Sequence, residues 1–222
     1  MKYIVVDMEM NPVDRKFAEE RRVCRSEIIE IGAVVLDERY TVIGEFKSLV
    51  CPEFNDQIQK KYETLTGITT DMVVGAPKFA QALEMFSSWC LGYGADFEVY
   101  AWSESDLKQI QAEMTLKNIH SESMDKLATR WYDFQEEYRV KLGLERIMSL
   151  EKALDYANVS FEGRQHDALC DARNTAELFA IVRDDKRCKA ALESVMEALK
   201  PKKICGPLGD MFDFSGLLAA CS

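Results

Sequence analysis

The sequence predicts an α/β domain in which helices flank a mixed central sheet. β-Branched runs crowd the first 50 residues, one more such run returns at 97–102, and helical periodicity fills the stretches between and after. Of the 222 residues, 47% are hydrophobic and 30% charged, enough for one sizeable core. The division expected is a main domain over 1–185 and a C-terminal helical extension with a tail over 186–222.

The elements follow in order. "YIVV" (3–6) reads as a strand buried on both faces. The charged stretch 11–26 is too polar for core. "EIIEIGAVVLD" (27–37) and "YTVIGEFKSLV" (40–50) form a hairpin that continues the sheet, and "CPEFND" marks a turn. "FAQALEMFSSWC" (79–90) has helical spacing behind Pro77. "FEVYAW" (97–102) is a short strand after a Gly-containing break. The segments 104–114, 123–140, 149–159 (capped by Ser149), 167–184 and 188–200 are helical, and Pro201 ends the last.

Asp7 and Glu9 close the first strand one residue apart, so they project to the same side. Two like charges held this way repel, and burial raises the cost unless a cation sits between them. Two carboxylates bind a hard divalent ion poorly, so further ones are needed. "FEGRQHDALCDARNTAELF" (161–179) supplies them: Asp167 is placed to cap a helix, Asp171 lies about one turn in, and His166 stands just before the start. Asp106, in "WSESD", offers a fourth carboxylate from another strand end, with Glu104 as a rival.

Taken together, Asp-x-Glu on the first strand, a lone Asp after the fourth, and His-x4-Asp opening a late helix resemble the DEDDh 3′→5′ exonucleases, which are RNase H-like. The likeness is nearest the branch holding KapD and the histone-mRNA and small-RNA exonucleases, and it runs collinearly over roughly residues 2 to 184. It implies a catalytic set of Asp7, Glu9, Asp106, Asp171 and His166. Two Mg²⁺ or Mn²⁺ ions would be held by Asp7, Glu9, Asp106 and Asp171, about 3.5–4 Å apart in such sites. His166 would take a proton from the attacking water. "LTGIT" (65–69) sits where the superfamily keeps a substrate loop. Met10, Leu65, Thr66, Gly67 and Ile68 are therefore the expected substrate contacts, with Leu65 and Ile68 set to stack or wedge against terminal bases. Met10 departs from the usual Thr or Ala, and Ser105 from the usual aromatic.

Composition narrows the partners. The net charge of −10 argues against a long nucleic-acid groove but suits a small metal-centred site. The basic residues Arg15, Lys16, Arg21, Arg22 and Arg25 could touch upstream phosphates, although Asp14, Glu19 and Glu20 interleave with them and a solvated face is at least as expected. Seven singly scattered cysteines, without CxxC, read as free thiols of a reducing compartment, hence the cytoplasm. No apolar stretch is long enough for a membrane span, and no signal peptide is visible. The expected activity is release of nucleoside 5′-monophosphates from the 3′ end of single-stranded RNA or DNA. The alternatives are a KapD-like protein-binding regulator of a sporulation kinase pathway, with a protein partner, and an oligoribonuclease-type enzyme acting on very short oligonucleotides.

Overall fold

A computed structural model describes residues 1–55 and 57–199. Its sheet is built from β1 (Lys2–Pro12), β2 (Ser26–Leu36), β3 (Val42–Leu49), β4 (Phe97–Ala101) and β5 (Trp131–Asp133), in the order β3-β2-β1-β4-β5. The expected hairpin is present: β2 runs antiparallel to both β1 and β3, whereas β4 is parallel to β1 and β5 to β4. The helices are α1 (Glu20–Val23), α2 (Lys60–Thr66), α3 (Thr70–Val73), α4 (Phe79–Leu91), α5 (Ser105–Leu116), α6 (Glu122–Ala128), α7 (Phe134–Leu142), α8 (Leu150–Tyr156), α9 (Ala168–Arg183) and α10 (Asp185–Leu199).

Alternation along β1 sorts its side chains between two cores. Ile4, Val6 and Met8 pack with Phe79, Phe86 and Ile110, the layer of α4 and α5. Val5 faces the other way, toward Phe134, Tyr138 and Phe179, the layer of α7 and α9. Asp7 and Glu9 share the parity of Val5, so they sit on the α9 side.

Three expectations need correction. First, β1 does not end at Asp7 but continues, paired with β2, to Pro12. What ends is the pairing with β4, whose last partners are Val6 and Ala101. The two carboxylates therefore lie on a braced strand, just past the edge of its parallel neighbour. Second, 123–140 is not one helix. Its middle forms β5, because β4 supplies hydrogen-bonding partners to Trp131–Asp133 and Tyr132 stacks on Tyr100 with centroids 5.3 Å apart. Asp133 then caps α7 by accepting the Glu136 amide. Third, no helix was expected at α3; Leu65-Thr66-Gly67 by itself also reads as a helix end stopped by glycine, which the end of α2 is, and the charged stretch as a solvated helix face, part of which is α1.

Register shifts between Glu9 and Met10, leaving Ile29 of β2 unpaired with β1. Ile29 turns into a small cluster with Ile58, Ile68 and Val73, which seats α2 and α3 beside the end of β1. The neighbouring Ile28 amide donates to Glu113 of α5 at 2.8 Å. Glu113 and Glu27, both fully buried, share Lys117 at 2.7 and 3.0 Å. A buried charge on one element is thus neutralised by another, locking α5 to β2.

α9 packs on β2 and β1 unusually closely. A Cβ at Gly32 would stand 2.2 Å from the Ala168 carbonyl carbon and the Leu169 amide nitrogen. Backbone cannot yield as a side chain can, so Gly32→Ala is expected to push the first turn of α9 off the sheet. The expected cost is about 1–3 kcal/mol of stability, read as a lowered midpoint in urea unfolding at unchanged slope. An unchanged midpoint would show that α9 retracts freely.

At the C-terminal end, Cys188 and Leu192 of α10 join the core of α8 and α9. The end of the helix expected at 188–200, its Pro201 stop and the tail 201–222 lie outside the described residues. Cys24, Cys51, Cys90, Cys170 and Cys188 are unpaired. No helix among the described residues is long and apolar enough to cross a membrane.

Candidate active site

A cleft of about 410 Å³ opens at the edge where the β1–β4 pairing stops. β1 contributes Asp7, Met8, Glu9 and Met10; the turn into α5 contributes Trp102, Ser103, Ser105 and Asp106. Ser149, Leu150 and Glu151 at the start of α8, then Phe161, Gln165, His166 and Asp171, close the other wall. All five residues expected to do chemistry therefore line one cavity, although the chain separates them by up to 164 positions (Asp7 to Asp171).

Local structure places each of them. Asp106 sits in the first turn of α5, 5% exposed, where helix amides favour a negative charge. Its rival Glu104 is exposed and ion-paired with Lys108, so the geometry brings Asp106, not Glu104, to the cleft. Asp167 caps α9 as expected, accepting the Cys170 amide at 3.1 Å. Asp171 accepts the His166 amide at 3.0 Å, tying the two residues together. His166 adopts φ 61°, the left-handed region, and its side chain is half exposed at 49%. Its Nδ1 stands 3.7 Å from Glu9 Oε1, and one ligand atom each from Glu9, His166 and Asp171 lie within 4.8 Å of one another.

The acids repel. Burial first, then Asp106, Asp171 and Glu9, raise Asp7 well above the usual carboxylate range. Burial, Asp171 and Glu30 push Glu9 up to about 8. Burial raises Asp171 to about 6 against the pull of the His166 amide, and raises Asp106 against the amides of Met8 and Asp106 itself. Each of these groups binds its proton more tightly folded than unfolded. Its contribution to stability is therefore complete below the unfolded carboxylate value and is lost as pH rises through the folded one. In EDTA the melting temperature is expected to fall by on the order of 5 °C between pH 5 and pH 8.5. A flat or rising profile would mean that the acids are not crowded.

The substrate segment divides. Leu65 is 40% exposed and lines a groove of about 660 Å³ with Lys61, Thr64, Gly163 and Arg164, which adjoins the cleft through Phe161, Gln165 and His166. Gly67 ends α2 at φ 77°, the glycine stop. Arg164 Nη2 donates to the Thr64 and Leu65 carbonyls at 2.9 and 3.3 Å, which ties the end of α2 to the loop carrying His166. Ile68, by contrast, is 2% exposed and belongs to the Ile29 cluster. Thr66 is buried too, its hydroxyl spent on the Tyr62 carbonyl and the Ile68 amide. Both hold the segment from beneath, and the expectation that Ile68 stacks on a base is corrected. Among Arg15, Lys16, Arg21, Arg22 and Arg25, none lines the cleft or the groove. Arg21 is spent on the Val13 carbonyl and Arg22 on Glu19.

Sequence reasoning missed several residues. Phe161 and Gln165 stand within the 161–179 stretch but were assigned no role, and the Ser149–Glu151 wall was read only as a helix start. Glu30 had a signal, a carboxylate flanked by isoleucines in a mostly apolar strand, and it lies directly opposite Glu9.

Four carboxylates on one cleft, each with its charged form disfavoured, make a donor set that suits hard divalent cations. This fold and this acid-lined cleft are those of an exonuclease-family domain. Residues 4–179 match the family model described as RNase_T exonuclease, and the chain belongs to that family. Its curated relatives include the probable 3′-5′ exonuclease KapD of Bacillus subtilis (strain 168), 24% identical over 97% of this chain and 95% of that protein. 3′-5′ exoribonuclease 1 of Homo sapiens is 26% identical over 78% and 50%, and ERI1 exoribonuclease 2 of Danio rerio is 30% identical over 68% and 30%. The chain thus spans half or less of those animal relatives. The nuclease domain of 3′hExo, a DEDDh family member solved with rAMP, superposes with TM-score 0.72 at 23% identity, covering 83% of this chain and 92% of that one. That likeness bears out the RNase H-like fold.

Proposed function

We propose that the protein is a metal-dependent 3′→5′ exonuclease that releases nucleoside 5′-monophosphates from single-stranded RNA or DNA, with RNA the first choice. One observation carries this reading: Asp7, Glu9, Asp106 and Asp171, far apart in the chain, line a single cleft whose lip is His166. The four acids would hold two Mg²⁺ or Mn²⁺ ions, which in such sites stabilise the attacking and leaving oxygens of an in-line displacement. His166, exposed at the lip and within 3.7 Å of Glu9, is placed to take the proton of the attacking water. Met10 and Phe161 face the space where a terminal sugar and base would lie, and exposed Leu65 offers a stacking surface along the groove. A cleft at the small end of ligand-pocket volumes suits one terminal nucleotide. The preference for RNA rests on relatives named exoribonucleases; Exonuclease I, a more distant likeness of fold, was solved with a dT13 oligonucleotide.

The test incubates 5′-labelled single-stranded RNA and DNA with the protein, in Mn²⁺ or in EDTA. A ladder that shortens from the 3′ end in Mn²⁺ and is absent in EDTA is expected, with mononucleotides as product. Cleavage of dinucleotides alone would favour the short-oligonucleotide reading. No cleavage of any strand would leave the scaffold as a binding module and end the proposal.

A further inference from the structure

We infer that Glu30 and Lys47 are positioning residues for this reaction: an ion pair between buried Glu30 of β2 and solvent-reaching Lys47 of β3 that grips the chain on the C-terminal side of His166 and sets where His166 and Asp171 stand. The inference rests on the exonuclease reading.

Glu30 is a fifth carboxylate beside the four, yet it does not line the cleft. Its side chain is 3% exposed and carries two contacts instead. Oε2 accepts the Ala168 amide at 2.9 Å, and Oε1 lies 3.2 Å from Lys47 Nζ. Lys47 reaches on to Asp167 Oδ2 at 2.5 Å. The other oxygen of Asp167 caps the Cys170 amide. Residues 167 and 168 are thereby held from two adjacent strands, immediately after His166 and one turn before Asp171. Gly32 lets the same turn lie against the sheet, and Glu45 of β3 holds Arg173 one turn further on at 2.8 Å.

Two physical demands meet here. An α9 that carries Asp171 and His166 into a cluster of acids is pushed outward by like charge. Something must hold it, and the holder should add as little net negative charge as it can. Glu30 alone would take the amide but worsen the repulsion, since it already acts on Glu9. Lys47, which joins Glu30 and Asp167, offsets one of their two negative charges without entering the cleft. Its own Cα pairs with Gly32, the residue that gives α9 its close seat.

Lys47→Met leaves Glu30 buried and uncompensated, so the first turn of α9 should shift. Glu30→Gln/Lys47→Met removes both charges while the amide oxygen of Gln still accepts from Ala168. With single-stranded RNA in Mn²⁺, at a temperature well below melting, Lys47→Met is expected to lower kcat about 10–100-fold with KM nearly unchanged. The double variant should regain most of that loss. Amide hydrogen exchange over 166–171 should quicken in Lys47→Met and slow again in the double variant, a readout that needs neither metal nor activity. A Lys47→Met variant with native kcat would overturn the inference even if it melts earlier, since the pair would then be merely structural. Unchanged exchange over 166–171, or a double variant no better than the single, would overturn it equally. A wild type without nuclease activity would sink the exonuclease reading, and exchange alone would then decide whether the pair positions α9.

Discussion

Asp7→Asn is expected to lower hydrolysis of a labelled single strand by at least about 10³-fold, the rate equivalent of several kcal/mol of lost charge stabilisation. Asp7 is the residue that senses all three other acids of the cleft: Asp106, Asp171 and Glu9 each raise it. Whatever cation the site holds must lie among these groups, so neutralising the shared one should weaken every part of the donor set. Asn is nearly isosteric, and the strand that bears it is paired through Pro12, so the fold should survive. Indeed, removing one of several crowded charges should raise the melting temperature at pH 8.5 in EDTA. Loss of activity with gain of metal-free stability is thus the expected pair of results, from an assay and a thermal melt. Retained activity would show that the site is wrongly assigned; a collapsed fold would show that Asp7 serves structure instead.

His166→Ala should cost about 10²–10⁴-fold in kcat, the usual range for a lost general base. Binding of Mn²⁺ should change far less, because the carboxylates remain and the backbone amide at 166 still serves Asp171. The left-handed backbone at this position complicates Ala, which adopts φ 61° at some cost. His166→Asn provides the control, since Asn tolerates this region but takes no proton at neutral pH. If both variants lose activity alike, the imidazole acts as base; if Asn restores it, the residue matters for loop shape and the proton goes elsewhere. Single-turnover rates measured beside Mn²⁺ titrations separate these outcomes.

Legibility varied with the range of the interaction concerned. The caps were readable because they are local: Ser149 and Asp167 accept amides three residues ahead, as their positions implied. The hairpin of β2 and β3 was readable because alternation and turn lie close in sequence. The break at 129–133 was not. Its residues keep a helical rhythm, and only β4, some 30 residues earlier, makes the extended form better. Ile68 failed for a related reason. An apolar residue after a glycine stop can face a ligand or a core, and the unpaired Ile29 across the sheet chooses the core.

What the sequence by itself determined is the list of acids and their order: a same-face pair on the first strand, one acid opening each of two later helices, and a histidine before the last. Period-two and helix-start geometry suffice for that, because each depends on neighbours a few residues away. The tertiary structure alone decided which oxygen-bearing groups share a cavity, that Glu104 stays outside it, and that Glu30 and Lys47 hold α9 from behind. Those outcomes follow from packing three distant segments against one sheet edge, where a glycine's missing side chain and the Glu30–Lys47 ion pair set the approach.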